Sequence, residues 1–363
     1  MKKRTARGSI IAVFLLGILI FGGVFYLWNT ATQIFQPVDT GPGRVVPVQI
    51  RPGETTAEIA DDLQAKGLIH NALAFRIWAR IKGLDAQLQA GGYSHLKTSM
   101  TISEIIDQLL TGSPDFLFVN IPEGYRLEQI TKVFASQGLT KFNEQDFLKY
   151  TKHPNLFPDA AKYPVLKLIP HGDSMEGLLF PATYDMPLDG DARYVVNRML
   201  TAFDDYVQKN GLVAKAKANK LNEYQMVILA SLVQREINNL KDAPGVAGVY
   251  LNRALNNVPN DTGGLLGSDP SVEYARDTLN PPTTYWKNLQ DSGGNIAHDS
   301  PWNTYVNPGF PPTPICSPGL ATLSAAASPT KSNYFYFLST KTGSIVYAKT
   351  YPEFQQLTQK YLH

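Results

Sequence analysis

Two groups of residues in this chain have the type and setting to do chemistry: an acid inside an apolar helical stripe, and polar and aromatic side chains on a proline-stiffened loop. Residues 222–240 predict a helix that Asn222 caps, with Gln225 three residues on to complete a capping box. Leu229, Leu232, Val233 and Leu240 form one apolar stripe, and Glu236 falls inside it, three or four residues from Leu232, Val233 and Leu240. Burying a carboxylate without a partner is costly, and the ordinary response is a raised pKa. A carboxyl that keeps its proton near neutral pH suits protonation of a leaving oxygen, as in cleavage of a glycosidic bond. The same pattern fits a buried Glu that pairs with an Arg or caps a neighbouring helix. Arg235 points about 100° away round the helix and is not the obvious partner.

The loop runs Ser300-Pro301-Trp302-Asn303-Thr304-Tyr305 and on through Gly309-Phe310-Pro311-Pro312-Thr313-Pro314-Ile315-Cys316-Ser317-Pro318-Gly319. Its prolines and glycines fix a loop shape rather than a regular element. Asn303, Thr304 and Tyr305 on such a stiff loop suit sugar binding; a plain surface connection fits equally well. Asp269, in Asp269-Pro270-Ser271-Val272, offers a second carboxylate, although an Asp that caps a helix with Pro at its first position is the favoured reading.

These groups need elements to hold them, and the chain predicts an α+β fold. The strand-like Val-Pro-Val-Gln-Ile leads through the turn Arg51-Pro52-Gly53-Glu54 to a helix that Thr55 or Thr56 caps, with Ile59, Leu63 and Leu68 along one side. A second helix carries Ala72, Phe75, Ile77 and Trp78. Gly91-Gly92-Tyr93 starts a strand, and Thr101 caps a helix with Ile105, Ile106 and Leu109. The order β-α-α-β-α defines a small domain over residues 46–113. A larger domain, residues 114–363, opens with the strand Phe116–Pro122 and the turn Glu123-Gly124-Tyr125. Helices follow at 127–137, 144–150 and 192–210, with a strand-like Ala182-Thr183-Tyr184 between. Residues 324–327 and 334–338 read as a helix and a buried strand.

Ahead of both domains lies a chargeless run, Ile10 to Trp28, close to the 20 or so apolar residues that span a bilayer. Lys2, Lys3, Arg4 and Arg7 precede it, and Tyr26 and Trp28 close it. This predicts a cytoplasmic tail over residues 1–8, one transmembrane helix over 9–29 with the N-terminus inside, and a linker over 30–45. A cleaved signal peptide would have a shorter apolar core and a small-x-small end, whereas this run ends Tyr-Leu-Trp-Asn. The N-terminus then lies in the cytoplasm and the domains on the far side of the cytoplasmic membrane. Those four basic residues exceed the whole formal net charge of +2, so the remainder carries no basic stripe suited to nucleic acid. With 44% hydrophobic and 18% charged residues among 363, the chain is neither disordered nor fibrous. A single cysteine, Cys316, excludes an internal disulfide; no Cys/His spacing implies a metal, and no Gly-rich motif implies a nucleotide. No cofactor is expected.

The ordered set of segments is similar to the endolytic murein transglycosylase family, the YceG-like proteins, from about residue 46 to 356. The matching pieces are Ile121-Pro122-Glu123-Gly124, Glu176-Gly177-Leu178-Leu179-Phe180-Pro181 with Thr183-Tyr184, and Ala230-Ser231-Leu232-Val233-Gln234-Arg235-Glu236. Val249-Tyr250-Leu251-Asn252-Arg253, Ser268-Asp269-Pro270-Ser271-Val272, Ser300-Pro301-Trp302-Asn303-Thr304-Tyr305 and Pro311-Pro312-Thr313-Pro314-Ile315 continue it. The family's glutamate segment holds two acids; here Gln234 occupies the first position and Glu236 the second, so the resemblance assigns Glu236 as acid and base. It implies Glu176, Tyr184, Asn252, Arg253, Asp269, Asn303, Thr304 and Tyr305 as substrate contacts, and a LysM-like module over residues 46–113. It also implies non-hydrolytic cleavage of the MurNAc–GlcNAc β-1,4 bond within nascent strands, 1,6-anhydro ends and a part in ending strand elongation. The partners it implies are peptidoglycan strands and penicillin-binding synthases. The absence of a convincing second acid beside Glu236 agrees with a one-acid reaction. The alternatives are a hydrolytic muramidase using Glu236 with Asp269, and a catalytically silent wall-binding scaffold. Ser317 stands where the family usually has Asn, and residues 256–267 and 281–299 are longer than expected.

Overall fold

A computed structural model describes residues 34–51, 53–83, 90–111, 115–255, 261–289 and 299–362. The residues read as a transmembrane helix lie outside that set, as do Pro52, 256–260 and 290–298. Among the described residues no helix is long and apolar enough to cross a membrane. The fold is mixed α+β, as expected from the sequence. The chain divides into two compact units, one reaching to Phe118 and including Asp185–Leu188, the other comprising the rest.

The first unit follows the β-α-α-β-α order: β1 (Val48–Ile50), α1 (Thr56–Ala65), α2 (Ala72–Ile81), β2 (Gly91–Tyr93) and α3 (Ile102–Thr111). Thr55 is the N-cap of α1, and Glu58 returns the bond to complete a capping box. Thr101 and Glu104 repeat the device at α3. Leu68 is buried with Ile59 and Leu63, but it lies beyond the end of α1, after Gly67 turns the chain at φ 70°. β1 and β2 pair antiparallel, Val48 against Tyr93. A Cβ on Gly92 would sit 1.6 Å from the Phe116 ring, so only glycine lets the next strand approach there. That strand, β3 (Phe116–Asn120), and β4 (Thr183–Pro187) complete a sheet in the order β1-β2-β3-β4.

The second unit is built round one buried helix. Before it come α4 (Leu127–Ser136), α5 (Glu144–Lys152), α6 (Ala192–Lys209) and α7 (Leu212–Ala218); the last is too short for periodicity to reveal. The central helix is α8 (Glu223–Glu236), capped by Asn222 with the expected Gln225 box. Every residue from Met226 to Val233 is buried, so α8 is enclosed all round rather than amphipathic. Around it pack α7, α9 (Ala243–Leu255), α10 (Asp269–Leu279) and α11 (Leu320–Ala327). α8 stops at Glu236, where Ile237 turns to extended backbone at ψ 143°. The predicted extension to Leu240 fails because Asn239 caps a separate 3₁₀ turn, leaving Leu240 52% exposed. A two-stranded antiparallel sheet, β5 (Tyr336–Ser339) with β6 (Ile345–Ala348), and α12 (Tyr351–Leu362) end the chain. β5 is half-buried rather than buried.

Gly248 of α9 faces the backbone carbonyl of Thr330, where an added Cβ would lie 2.2 Å from the oxygen. Backbone cannot give way as a flexible side chain can, so Gly248→Ala is expected to destabilise by about 1–3 kcal/mol. A urea midpoint unchanged from wild type would contradict that packing.

Candidate active site

Glu236 sits at the C-terminal end of α8 with one carboxylate oxygen held and the other open. Oε1 accepts a hydrogen bond from the Tyr250 hydroxyl at 2.5 Å and from the Ser268 hydroxyl at 3.0 Å. No described residue bonds Oε2, and the side chain is only partly buried. Burial pushes the carboxyl above its ordinary 4.5; the two hydroxyls pull it back, the Asp269 charge raises it further, and Arg253 lowers it. Tyr250, on α9, is buried edge-on to Phe337, and its phenol is raised well above its ordinary value, so it stays a donor.

Ser268 is fixed from several directions. Its N–H donates to Thr304 Oγ1 at 2.9 Å, and Thr304 Oγ1 also shares a proton with Ser271 Oγ at 2.8 Å. Gly267 N–H donates to the Thr304 carbonyl. Arg253 reaches across from α9, donating from Nε to the Phe335 carbonyl and from Nη1 to Leu266, just ahead of Ser268. Asn252 likewise bonds the carbonyls of Ser332 and Tyr334. Asn303 Oδ1 accepts from Tyr305 N–H at 3.0 Å. These side chains build the frame, while the Tyr305 ring, 49% exposed, sends its hydroxyl to Asp269 Oδ1 at 2.6 Å.

Asp269 does not cap α10. Ser268 holds the N-cap position, no side-chain cap bond forms, and Pro270 lies in the first turn. The exposed Asp269 carboxylate is instead close enough for its charge to act on Glu236. The expectation of no second acid beside Glu236 is therefore corrected. Proline geometry at the helix start favoured the cap, but it does not say where the side chain turns.

Gln234, at the first acid position of the motif, accepts from Gly319 N–H at 3.0 Å and Thr322 Oγ1 at 2.7 Å, capping α11. An amide there serves structure, which leaves Glu236 as the motif's only acid. Ser231 Oγ receives Ile315 N–H at 3.0 Å, so the loop after Pro311 is stitched to α8 and buried rather than offered to a ligand. Ser317 Oγ is buried there without a described partner.

The structure does not bring Glu176 and Tyr184 into this cluster's hydrogen bonds. Tyr184 is buried and donates to the Phe180 carbonyl at 2.5 Å. Glu176, 1% exposed, accepts from Leu127 N–H at 3.2 Å at the start of α4 and from the Tyr274 hydroxyl at 3.3 Å. Burial first, then the Glu128 charge, pushes its carboxyl up to about 8. The folded chain therefore holds this proton after the unfolded chain has released it, and stability falls as pH rises from about 4.5 toward 8. Glu176→Gln, which carries no such proton, is expected to remove about 3 kcal/mol of stability loss between pH 4.5 and 7. Urea midpoints of the two proteins at both pH values measure it; parallel losses would mean that Glu176 is ionised in the fold.

Glu236, with the Tyr250 and Ser268 hydroxyls on one carboxylate oxygen and the Tyr305–Asp269 pair nearby, forms the candidate active site of the chain. The family model matches residues 48–360, and the chain belongs to that YceG-like family, as its motifs suggested. It is 31% identical over 354 residues to a Bacillus subtilis (strain 168) protein named endolytic murein transglycosylase, covering 95% of this chain and 91% of the relative. A protein of the same name from Streptococcus pneumoniae serotype 2 (strain D39 / NCTC 7466) is 30% identical over 362 residues; the alignment covers 94% of this chain and 63% of that longer one. A crystal structure of a putative yceG-like protein from Listeria monocytogenes matches with a TM-score of 0.54 and 29% identity, covering 87% of this chain and 99% of the other.

Tyr250 and Ser268 lie inside segments that sequence reasoning marked, yet neither was singled out. A tyrosine in an apolar helix reads as core, and nothing in its spacing reveals a carboxylate on a different helix.

Proposed function

We propose that this chain is an endolytic murein transglycosylase. It cuts the MurNAc–GlcNAc β-1,4 bond inside peptidoglycan strands without water and leaves 1,6-anhydroMurNAc ends. The observation that carries this is Glu236, a desolvated carboxyl with Oε1 held by Tyr250 and Ser268 and Oε2 left open. In the reaction Oε2–H gives its proton to the glycosidic oxygen as the C1–O bond breaks. The MurNAc 6-hydroxyl attacks its own C1, and its proton passes to the Glu236 carboxylate, restoring the acid. Between the two steps the negative charge rests on a carboxylate that already accepts two hydroxyl bonds. The names of the relatives support this reading.

The remaining expectations join the proposal. Residues 9–29 anchor the chain in the cytoplasmic membrane with the N-terminus inside, on the strength of the basic start and the apolar run. The β-α-α-β-α unit acts as a LysM-like glycan contact, and nascent strands made by penicillin-binding synthases are the substrate.

A hydrolytic muramidase is the second reading, because the Asp269 charge acts on Glu236 and glycosidases that use water need two carboxylates. Digestion of purified glycan strands, with product ends read by mass spectrometry, separates them. Ends one water lighter and resistant to borohydride are expected. Reducing ends would move the assignment to hydrolysis with Asp269.

A further inference from the structure

Arg235, the residue immediately before Glu236, is held in place without being used. Its guanidinium lies over the Trp286 ring, with Cζ 4.2 Å from the centroid, and its Nη1 edge borders Gly124, where an added Cβ would be 3.3 Å away. A guanidinium carries five N–H donors. Among the described residues none accepts a hydrogen bond from Arg235 and no carboxylate comes within ion-pair distance, while Nε is buried without a partner. Arg126, also stacked on an aromatic ring, has a buried Nε without a hydrogen-bond partner too, but its Nη atoms are spent on the Tyr274 carbonyl and the Thr278 hydroxyl. Leaving a half-buried cation unpaired is costly unless a ligand completes it.

Trp286 is itself built for the purpose. It adopts φ 67°, a left-handed conformation that a bulky side chain rarely takes. Its N–H donates to the buried Asp277 Oδ2 at 2.9 Å and its indole N–H to Gln129 Oε1 at 3.4 Å, so both ends of the residue are tied. The strain persists in a polar, part-exposed segment, residues 281–289, where Tyr285 and Trp286 also lie against Arg126.

α10 runs past all three groups, Glu236, Arg235 and Trp286. Asp269, Glu273 and Asp277 are spaced four apart on one face of that helix. The first acts on Glu236, the second feels Arg235, and the third fixes Trp286. Arg235 and Glu236 are neighbours at the end of α8, with Cα atoms about 3.8 Å apart, so the guanidinium starts from the same end of the helix as the proton donor. Glu273, the acid that faces Arg235, is 7% exposed, and burial lifts its carboxyl to about 7, so it does not serve as a fixed counter-ion.

We propose that Arg235, clamped flat by Trp286, is a specificity subsite that takes a carboxylate of the peptide stem carried by the sugar whose bond is cut. This rests on the peptidoglycan reading above. Planar bidentate recognition of a carboxylate is what a pre-oriented guanidinium supplies and what a lysine does not. The stem springs from the same MurNAc ring as the broken bond, so its first residues fall near that end of α8.

The test compares kcat/KM of the full-length chain in detergent on strands that keep their stems and on strands stripped by an amidase. Wild type is expected to prefer stem-bearing strands, and Arg235→Gln to lower that preference about tenfold or more, chiefly through KM. Arg235→Lys and Trp286→Ala should lower it less, in the same direction, each with a melting temperature measured alongside. No preference in wild type, or equal losses on both strands in every variant, overturns the subsite. If wild type cuts neither strand, the lytic reading fails separately. The subsite is then read from binding: stem-bearing strands should bind the full-length protein better than stripped ones, and Arg235→Gln should erase that difference.

Discussion

Glu236→Gln is expected to lower kcat/KM on glycan strands by about 10²–10⁴-fold, the usual weight of a positioned general acid. The substitution is close to isosteric. Its amide oxygen can still accept from Tyr250 and Ser268, so the frame that holds residue 236 should persist. What disappears is the proton on the open oxygen and the capacity to take one back. The fold should not suffer, because burial already disfavours the charged carboxylate; a neutral amide escapes that penalty. Loss of turnover with an equal or higher melting temperature and unimpaired strand retention is therefore the result to look for. Residual cleavage within tenfold of wild type would remove Glu236 from the chemistry. Loss of strand binding together with turnover would make it a ligand of the substrate instead.

Much of this site was legible because the chain advertises its helix ends. The Asn222–Gln225 box forms as read, Thr101 caps its helix as read, and Thr55 rather than Thr56 proves to be the cap of α1; Glu58 and Glu104, not singled out in the sequence, complete the same local bond pattern three residues on. Glu236 stood out as an acid among leucines, and the structure gives it a raised pKa through burial. The reason was only partly right. The helix is buried on every side and stops at Glu236, so the acid is desolvated by its position at the end of a core helix rather than by a place in a stripe. What stayed hidden depends on pairs far apart in sequence: Tyr250 and Ser268 meeting Glu236, Tyr305 meeting Asp269, and Trp286 under Arg235. Short-range spacing carries no information about such contacts. Asn252, Arg253 and Thr304 show the reverse case, polar residues in marked motifs whose hydrogen bonds go to the protein's own framework.

Two substitutions beside Glu236 should move the pH profile of kcat/KM in opposite directions. The acid must carry its proton, so activity falls as pH rises through the pKa of Glu236, which burial places above 4.5. Tyr250→Phe keeps the ring against Phe337 and deletes the hydroxyl that favours the carboxylate. The pKa should rise, and the falling limb should shift to higher pH, because the carboxylate loses a donor that favours its charged form. Peak turnover should drop as well, since the carboxylate formed in mid-reaction loses a donor. Asp269→Asn removes a negative charge that raises the same pKa, so its limb should shift to lower pH, by less because Asp269 is exposed and screened. General damage to the fold would not give shifts of opposite sign. If both limbs move the same way, Asp269 and Tyr250 do not act through Glu236. If Asp269→Asn instead abolishes cleavage at every pH, the aspartate takes part in the chemistry itself; two carboxylates then share the work, as water-using glycosidases require.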